Sequence, residues 1–310
     1  MNVQLIRVPY DSGQRDLRMG RGPARFCEHG AADRLRAAGH VVAESTVEVS
    51  VPFPLEVGTS FALHRALSER VFAAVTGGAF PLILAGNCGT ALGTVSGVRA
   101  GSPNDPSDVG VIWLDAHADF NTPETTTSGF LDGTSLAALT GRCWHALTAT
   151  IPGFRPVADA NVVLVGARDL DSAEEEMVSG SQVTRVAAST LETRGATAAL
   201  DDALTALAQR VSRVYVHIDL DVHEPSEAQA NQYAVPGGLR SATVRELVRV
   251  VADRFELAAV ALTAYDPAYD PEHRMLGVGL ELISGIGNRE SGIGNRESGI
   301  GNRESGRGLR

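Results

Sequence analysis

The chain has 310 residues, of which 44% are hydrophobic, and its 27 basic and 37 acidic side chains give a formal net charge of −10. This balance disfavours a nucleic acid or an anionic membrane as the main partner, and no apolar run approaches the roughly 18 residues that a membrane-spanning helix needs. The sequence contains no lysine, which excludes Schiff-base chemistry, pyridoxal phosphate attachment and the P-loop lysine.

Most of the chain alternates short apolar runs with helical stretches. Strands are predicted at 3–8, 81–86, 109–115, 161–167, 214–220 and 257–264. Helices are predicted at 21–39, 60–75, 190–212 and 241–255. This alternation is typical of a parallel sheet with helices on both faces. Because no Pro- or Gly-rich linker divides residues 1–283, we predict one doubly wound α/β domain built on a single, mostly parallel sheet.

The carboxyl-terminal segment, 284–310, repeats the sequence SGIGNRE three times and ends in SGRGLR. Two glycines and one isoleucine in each repeat cannot form the two-position apolar seam that a heptad coiled coil requires. We therefore expect a disordered, low-complexity tail. The function is expected to reside in residues 1–283.

Unusual polar residues follow four of the predicted strands. In doubly wound sheets, ligands bind outside the carboxyl ends of the strands, so these segments are candidate functional sites. The four segments are Gly86-Asn87-Cys88-Gly89, Asp115-Ala116-His117-Ala118-Asp119, Asp219-Leu220-Asp221 and Tyr265-Asp266-Pro267.

The two aspartate-rich segments predict a metal site. Asp115, His117 and Asp119 occupy alternate positions, as do Asp219 and Asp221, and alternate residues of an extended chain project to one side. Carboxylates gathered at one sheet edge repel each other unless cations neutralise them. A lone D-x-D motif more often caps a turn, but together with D-A-H-A-D it favours two divalent ions that convert water to hydroxide.

These motifs resemble the arginase, or ureohydrolase, superfamily of dinuclear-manganese enzymes, and the match runs through nearly all of residues 1–283. It also includes the N-T-P-x-T-T-T-S-G loop at 121–129, which is similar to the arginase branch and not to the agmatinase branch, and the segments at 168–171 and 266–267. The resemblance implies an arginase-like fold and a pair of Mn²⁺ ions. It also implies a metal-bridging hydroxide that attacks a guanidino carbon.

The resemblance also implies a role for each metal-binding residue. Asp115 and Asp219 would bridge the two ions and thereby serve catalysis. His117 and Asp221 would complete the coordination of one ion, and Asp119 that of the other.

Four further residues are implied to bind the substrate as an amino acid. Asn121 and Ser128 would hold an α-carboxylate, while Asp171, with Glu174, would receive an α-ammonium group. Without the resemblance, loop capping and turn formation explain these four side chains equally well.

Cys88 departs from the family pattern. Aligned through Ala91 and Gly93, it stands where arginases place a metal-ligating histidine, and Asn87 replaces an aspartate. A thiolate ligand shifts the preference toward Zn²⁺ or Fe²⁺, whereas the carboxylates favour Mn²⁺. A purely structural, buried cysteine is the alternative. The three cysteines lack C-x-x-C spacing, which indicates a reducing compartment, the cytoplasm.

Two more positions depart from the pattern. Asp132 stands where arginases have a proton-shuttling histidine, and it can serve as the catalytic acid only if its pKa is raised. Ala264 stands where a glutamate pairs with the substrate guanidinium. A less basic substrate that carries its own N–OH group makes both losses tolerable. The combination of a cysteine ligand with an absent catalytic histidine also resembles the Nω-hydroxy-L-arginine amidinohydrolases of D-cycloserine biosynthesis, and this resemblance implies release of hydroxyurea and L-ornithine.

Two other functions stay open. One is ordinary arginase or another urea-forming, guanidino-acid hydrolase. The other is a metal-binding pseudoenzyme that acts as an interaction protein, although unused carboxylates in a pocket would cost stability without their cations. The expected partner is a small guanidino amino acid, with no nucleic acid or membrane. A monomer and a homo-oligomer are both compatible with the sequence.

Overall fold

The computed structural model describes residues 1–51, 55–102 and 108–287. The strands within these residues are β1 Asn2–Val8, β2 Tyr10–Asp11, β3 Gln14–Arg15, β4 Val41–Thr46, β5 Ala79–Ala85, β6 Val109–Leu114, β7 Val162–Val165, β8 Thr184–Val186, β9 Arg213–Asp219 and β10 Glu256–Thr263. The α-helices are α1 Gly22–Glu28, α2 Ala31–Ala37, α3 Glu56–Thr76, α4 Thr90–Gly101, α5 Ser135–Leu139, α6 His145–Thr148, α7 Ser172–Ser179, α8 Ala188–Arg194, α9 Ala196–Ala208, α10 Ser241–Arg254 and α11 Arg274–Gly287.

Eight of the described strands form one sheet in the order β4-β1-β5-β10-β9-β6-β7-β8, and neighbouring strands pair in parallel. The strands β2 and β3 form a separate antiparallel hairpin. The four strands that are followed by unusual polar residues, β5, β10, β9 and β6, are consecutive neighbours at the centre of the sheet. The topology therefore brings the four candidate segments to one edge.

Helices cover the sheet on both faces. On one face, β9 residues such as Val214 and Val216 pack with α9, α10 and α11. On the other face, Trp113 and Tyr215 pack with α3, α4 and α5. Every residue of β6 and β9 is buried, as expected for parallel strands enclosed between two helical layers. The predicted single, mostly parallel sheet with helices on both faces is confirmed.

The helices α3 and α4 lie unusually close together. A Cβ added at Gly93 would lie 2.5 Å from the carbonyl oxygen of His64, and one added at Gly97 would lie 2.5 Å from that of Ser68. No real Cβ atom sits that close to an oxygen, so these two glycines are needed for the packing of α4 on α3.

Several predicted boundaries differ from the structure. The predicted helix 21–39 is divided at Gly30 into α1 and α2, and the predicted helix 190–212 is divided at Gly195 into α8 and α9, because both glycines have positive φ. At the carboxyl end, α11 continues to Gly287, four residues past the predicted domain boundary at 283. The remainder of the predicted tail, 288–310, lies outside the described residues.

Among the described helices, none combines the length and the apolar character that are needed to cross a bilayer.

Candidate metal centre

The candidate metal centre lies at the carboxyl ends of β6 and β9. Asp115 directly follows β6, and its two carboxylate oxygens accept hydrogen bonds from the backbone N–H of His117 (2.8 Å) and from Nε1 of Trp113 (3.0 Å). Asp219 is the last residue of β9 and makes a similar contact. Its Oδ1 accepts a hydrogen bond from the backbone N–H of Asp221 (2.8 Å). In both motifs, the first aspartate therefore folds onto the amide two residues later, which fixes the local turn.

His117 joins the two motifs. Its Nδ1 lies 3.4 Å from Oδ1 of Asp115 and 3.4 Å from Oδ2 of Asp221. One ligand atom from each of these three residues lies within 4.8 Å of the other two. Ligands around one divalent ion have such separations, since metal–ligand distances are roughly 2.0–2.3 Å. These three side chains can therefore hold one cation.

Asp119 supplies the test of whether cations fit here. The residue is buried and has a left-handed backbone (φ 50°), an uncommon conformation for a residue other than glycine. Its Oδ2 is buried and has no hydrogen-bond partner among the described residues. A buried carboxylate oxygen without a partner is costly, and Asp119 lines the same pocket as Asp219 and Asp221. The residues present fit divalent cations.

Electrostatics at the centre give the same result. Burial and the neighbouring Asp221 carboxylate raise the pKa of Asp115 to about 6. Burial and nearby carboxylates also raise the pKa values of Asp119 and Asp219. Each carboxylate is thus destabilised in its charged form, which a bound divalent cation would reverse.

The His117–Asp221 pair is shifted in the opposite sense. Burial alone would lower the pKa of His117, but the carboxylates of Asp221 and Asp115 outweigh burial and raise it. Burial would raise the pKa of Asp221, but the His117 imidazolium outweighs it and lowers that pKa. The imidazolium thus stabilises the Asp221 carboxylate, and a metal ion that binds His117 must displace its proton.

Cys88 faces this cluster from the end of β5. It is buried, and its Sγ lies 3.0 Å from Oδ2 of Asp219 and 3.4 Å from Oγ1 of Thr263. Burial and the Asp219 charge raise the pKa of the thiol. The structure thus brings the predicted sulfur ligand to the predicted bridging carboxylate.

Asp132 lies on the wall next to Cys88. Burial raises the pKa of its carboxyl group, while hydrogen bonds from Gly89, Cys88, Asn87 and Ser135 oppose that shift. The predicted acid therefore contacts the Asn87–Gly89 turn as well as the pocket.

A cavity of about 570 Å³ opens above the metal centre, which is within the usual range for small-ligand sites. The predicted substrate-binding residues Asn121, Ser128, Asp171 and Glu174 line it. Nδ2 of Asn121 donates to Asp171 (3.3 Å), and Ser128 is an exposed residue whose hydroxyl accepts from the backbone N–H of Phe130 (3.2 Å).

Glu174 is less available than Asp171. Its two carboxylate oxygens accept hydrogen bonds from the backbone N–H groups of Phe120 (2.8 Å) and Asp171 (3.4 Å). Glu174 is also buried, whereas Asp171 is partly exposed. Of these two acidic groups, Asp171 is therefore the one better placed to meet a cationic substrate group.

Ala264 also lines the cavity. Its backbone is left-handed (φ 61°), and its carbonyl oxygen accepts a hydrogen bond of 2.8 Å from Nδ2 of the buried Asn231. At this position the pocket wall presents a methyl group and no carboxylate.

Sequence reasoning missed His217, which lies beneath the centre. Its ring is fully buried and stacks on Trp113 with 3.7 Å between ring centroids. One of its nitrogens lies within 4.8 Å of the ligand atoms of Cys88 and Asp115. Asp219 and Asp221 are two positions apart, and the same spacing continued toward the amino terminus reaches His217. This pattern could have identified His217 from the sequence.

Sequence reasoning also missed an aromatic pair at the pocket. The rings of Phe130 and Tyr233 stack with 5.4 Å between centroids. The two residues belong to separate loops, and no local pattern connects them.

Comparisons with known proteins agree with this geometry. A model of the arginase family matches residues 1–286. The chain is 30% identical over 296 residues to an arginase of Brevibacillus brevis, covering 92% of this chain and 97% of that protein, and 28% identical over 302 residues to an arginase of Bacillus caldovelox, covering 92% and 97%. The crystal structure of arginase from Bacillus cereus superposes with a TM-score of 0.82 at 26% identity, covering 92% of this chain and 98% of that one.

Proposed function

Because this chain belongs to the arginase family, hydrolases that act on the C–N bonds of amidino groups, we propose that it hydrolyses the guanidino group of an arginine-like amino acid. The proposed preferred substrate is Nω-hydroxy-L-arginine, which would give hydroxyurea and L-ornithine. Ordinary arginase activity is the second candidate, and the similarity to arginases over 92% of the chain favours it.

The observation that carries the preference is the methyl group of Ala264. The guanidino group of arginine is almost always protonated, and the resulting cation needs an anionic partner in a pocket from which water is excluded. An Nω-hydroxyguanidine is less basic, so it needs that partner less. Its carbon is also more electrophilic. The pocket is thus better suited to a substrate that enters with less charge.

The metal centre would hold two divalent cations. We propose that Asp115 and Asp219 would serve as ligands of both ions. His117 and Asp221 would complete the ligand set of the first ion, and Cys88 and Asp119 would complete that of the second. When bound, such a pair of ions activates water as a nucleophile near neutral pH. Carboxylates predominate among the ligands, which supports Mn²⁺, although the sulfur of Cys88 favours a softer ion. A thiolate ligand must stay reduced, which supports a cytoplasmic location.

The other pocket residues orient the substrate. The amide of Asn121 and the hydroxyl of Ser128 would donate hydrogen bonds to the α-carboxylate. The Asp171 carboxylate, with Glu174 beside it, would receive the α-ammonium group. Held at this end, the side chain of the amino acid extends toward Asp119 and Asp219, and such positioning lowers the entropic part of the barrier. The N–OH group of the substrate would relay a proton to the leaving amine.

The proposal is tested by a substrate panel. The Mn²⁺-loaded protein should release hydroxyurea from Nω-hydroxy-L-arginine with a higher kcat/KM than it releases urea from L-arginine. Metal-free protein is the control and should be inactive with both substrates. The reverse order of kcat/KM would establish the arginase alternative. No turnover of any guanidine would favour an interaction protein instead.

A further inference from the structure

One buried carboxylate holds the turn that carries Cys88. Oδ2 of Asp132 accepts hydrogen bonds from the backbone N–H of Cys88 (2.9 Å) and from Nδ2 of Asn87 (2.9 Å). Its Oδ1 accepts from the backbone N–H of Gly89 (2.8 Å) and also faces the hydroxyl of Ser135 (3.1 Å), which lies closer to the backbone carbonyl oxygen of Asp132 (2.5 Å). One carboxylate thus binds three donors of the Asn87–Gly89 turn, and it offers about four acceptor positions.

The donors around Asp132 favour a charged acceptor. Two of them are backbone amides that immediately precede the 12-residue helix α4, where the helix dipole contributes partial positive charge. Hydrogen bonds to an ionised acceptor are roughly twice as strong as neutral ones. The contacts at the Asn87–Gly89 turn are those of an anchor.

The anchored turn determines where the sulfur points. With the N–H groups of Cys88 and Gly89 both bound to one carboxylate, the backbone on each side of the Cys88 side chain is fixed. The sulfur then lies 3.0 Å from Oδ2 of Asp219. A ligand must be held within about half an ångström of its productive position to bind a metal well.

We propose that Asp132 is a positioning residue, whose carboxylate fixes the Asn87–Gly89 turn so that the sulfur of Cys88 reaches the metal ion. The inference rests on the proposed function, because it requires Cys88 to be a ligand. It replaces the expectation that Asp132 serves as the catalytic acid.

Cobalt spectroscopy tests this role. The full-length protein is loaded with Co²⁺, and the thiolate-to-cobalt charge-transfer absorption is measured per bound ion. Asp132→Asn keeps the size of the side chain but places an NH₂ group against N–H donors. We expect this variant to lose most of the band. Its affinity for one of the two cobalt ions should fall by at least roughly tenfold relative to the wild-type protein, as is usual when a group that orients a ligand is removed.

Ser135→Ala is the matched control. It removes one of the donors to Asp132 and leaves the three at the Asn87–Gly89 turn, so the band should persist. Should Asp132→Asn fail to fold, Asn87→Ala removes a donor at the turn itself and should weaken the band more than Ser135→Ala does. Equal bands in Asn87→Ala and Ser135→Ala would contradict the proposal in that case.

The outcomes separate the inference from its premise. If the wild-type protein binds two cobalt ions without a charge-transfer band, and Cys88→Ser has the same spectrum, then Cys88 is not a ligand and the proposed metal centre is wrong at that position. If Asp132→Asn keeps the band and the affinity of the wild-type protein, the positioning role is overturned. If it keeps both but loses kcat, Asp132 is the catalytic acid.

Discussion

The sulfur of Cys88 lies 3.0 Å from Oδ2 of Asp219, although the two residues are 131 positions apart in the chain. They meet because β5 and β9 both pair with β10, so their carboxyl ends lie on either side of one strand. In this contact the thiol donates a hydrogen bond to the carboxylate. A cation that binds both residues must displace that proton.

Metal binding should therefore depend on pH. The raised pKa values of Asp115, Asp119, Asp219 and Cys88 mean that the metal-free protein holds protons on groups that a cation needs deprotonated. Protonation and cation binding compete, so we expect the Mn²⁺ affinity to rise from about pH 5.5 to about pH 8, by about tenfold per pH unit for each proton displaced. Calorimetry in buffers with different ionisation enthalpies counts these protons. An affinity that is flat or falling over this range would contradict the prediction.

Ala264→Glu should change the substrate preference. The backbone there is already left-handed, so the substitution adds no new strain in φ, and the side chain would enter the pocket. A carboxylate that pairs with a guanidinium contributes roughly 1.5–3 kcal/mol, which corresponds to about a 10- to 100-fold change in rate. We expect kcat/KM for L-arginine to rise by about that factor relative to Nω-hydroxy-L-arginine.

The matched control for this charge effect is Ala264→Gln, which has nearly the same volume and no charge. It should leave the ratio of the two kcat/KM values close to that of the wild-type protein. Equal effects of the two substitutions would show that size, and not charge, sets the preference.

Asp171→Asn should weaken substrate binding. Asp171 is the N-cap residue of α7, and asparagine is an equally good N-cap, so the helix should be preserved while the negative charge is lost. We expect KM to rise by roughly tenfold with kcat nearly unchanged, because the lost contact acts equally in the ground state and the transition state. Glu175→Gln, on the same helix in a surface ion pair with Arg185, is the control and should leave KM unaltered. A fall in kcat alone would refute this assignment.

Arg168→Ala should destabilise the fold. The Arg168 guanidinium donates to the backbone carbonyl oxygens of Asp221 (3.0 Å) and Val235 (2.8 Å), and so ties the D-x-D turn to a distant loop. Several partly buried carbonyl groups would lose their donor, so we expect the free energy of unfolding to fall by about 2–4 kcal/mol in denaturant titrations. Arg210→Ala, which removes exposed bonds to one carbonyl oxygen, should cost less than about 1 kcal/mol. A similar loss for both variants would contradict the specific role of Arg168.

The central strands could be predicted from the sequence because they are buried on both faces and are therefore continuous apolar runs. The two edge strands could not be predicted in this way. The strand β4 at Val41–Thr46 has no buried residue, and β8 at Thr184–Val186 has only three residues, so neither forms a continuous apolar run. The helix α4 was also missed. Its sequence, TALGTVSGVRAG, is rich in glycine and threonine, which have low helix propensity, and its glycines are explained by contact with α3.

The same distinction applies to the site. The spacing of Asp115, His117 and Asp119 predicts that they share one side of an extended chain, and the three do lie at one site. The chain there is not extended, however, because β6 ends at Leu114, Asp115 accepts a hydrogen bond from the amide of His117, and Asp119 has a left-handed backbone. The residue types were therefore predicted correctly, but the turn that brings them together was not. Three of the donors around Asp132, at Asn87, Cys88 and Gly89, follow β5, and only the tertiary structure places them there. Local sequence therefore indicates which chemistry is present, whereas the contacts that orient it depend on sheet order.

The strand order has a consequence for how the protein is made. The last two described strands, β9 and β10, lie between β5 and β6, although β9 begins 128 residues after the end of β5 and 99 residues after the end of β6. A nascent chain that has emerged only as far as β8 has a gap in its sheet where Asp219 belongs. Long-range pairing of this kind slows folding. The candidate metal centre, which needs Asp219 near Cys88 and Asp115, is therefore completed only when β9 and β10 have joined the sheet.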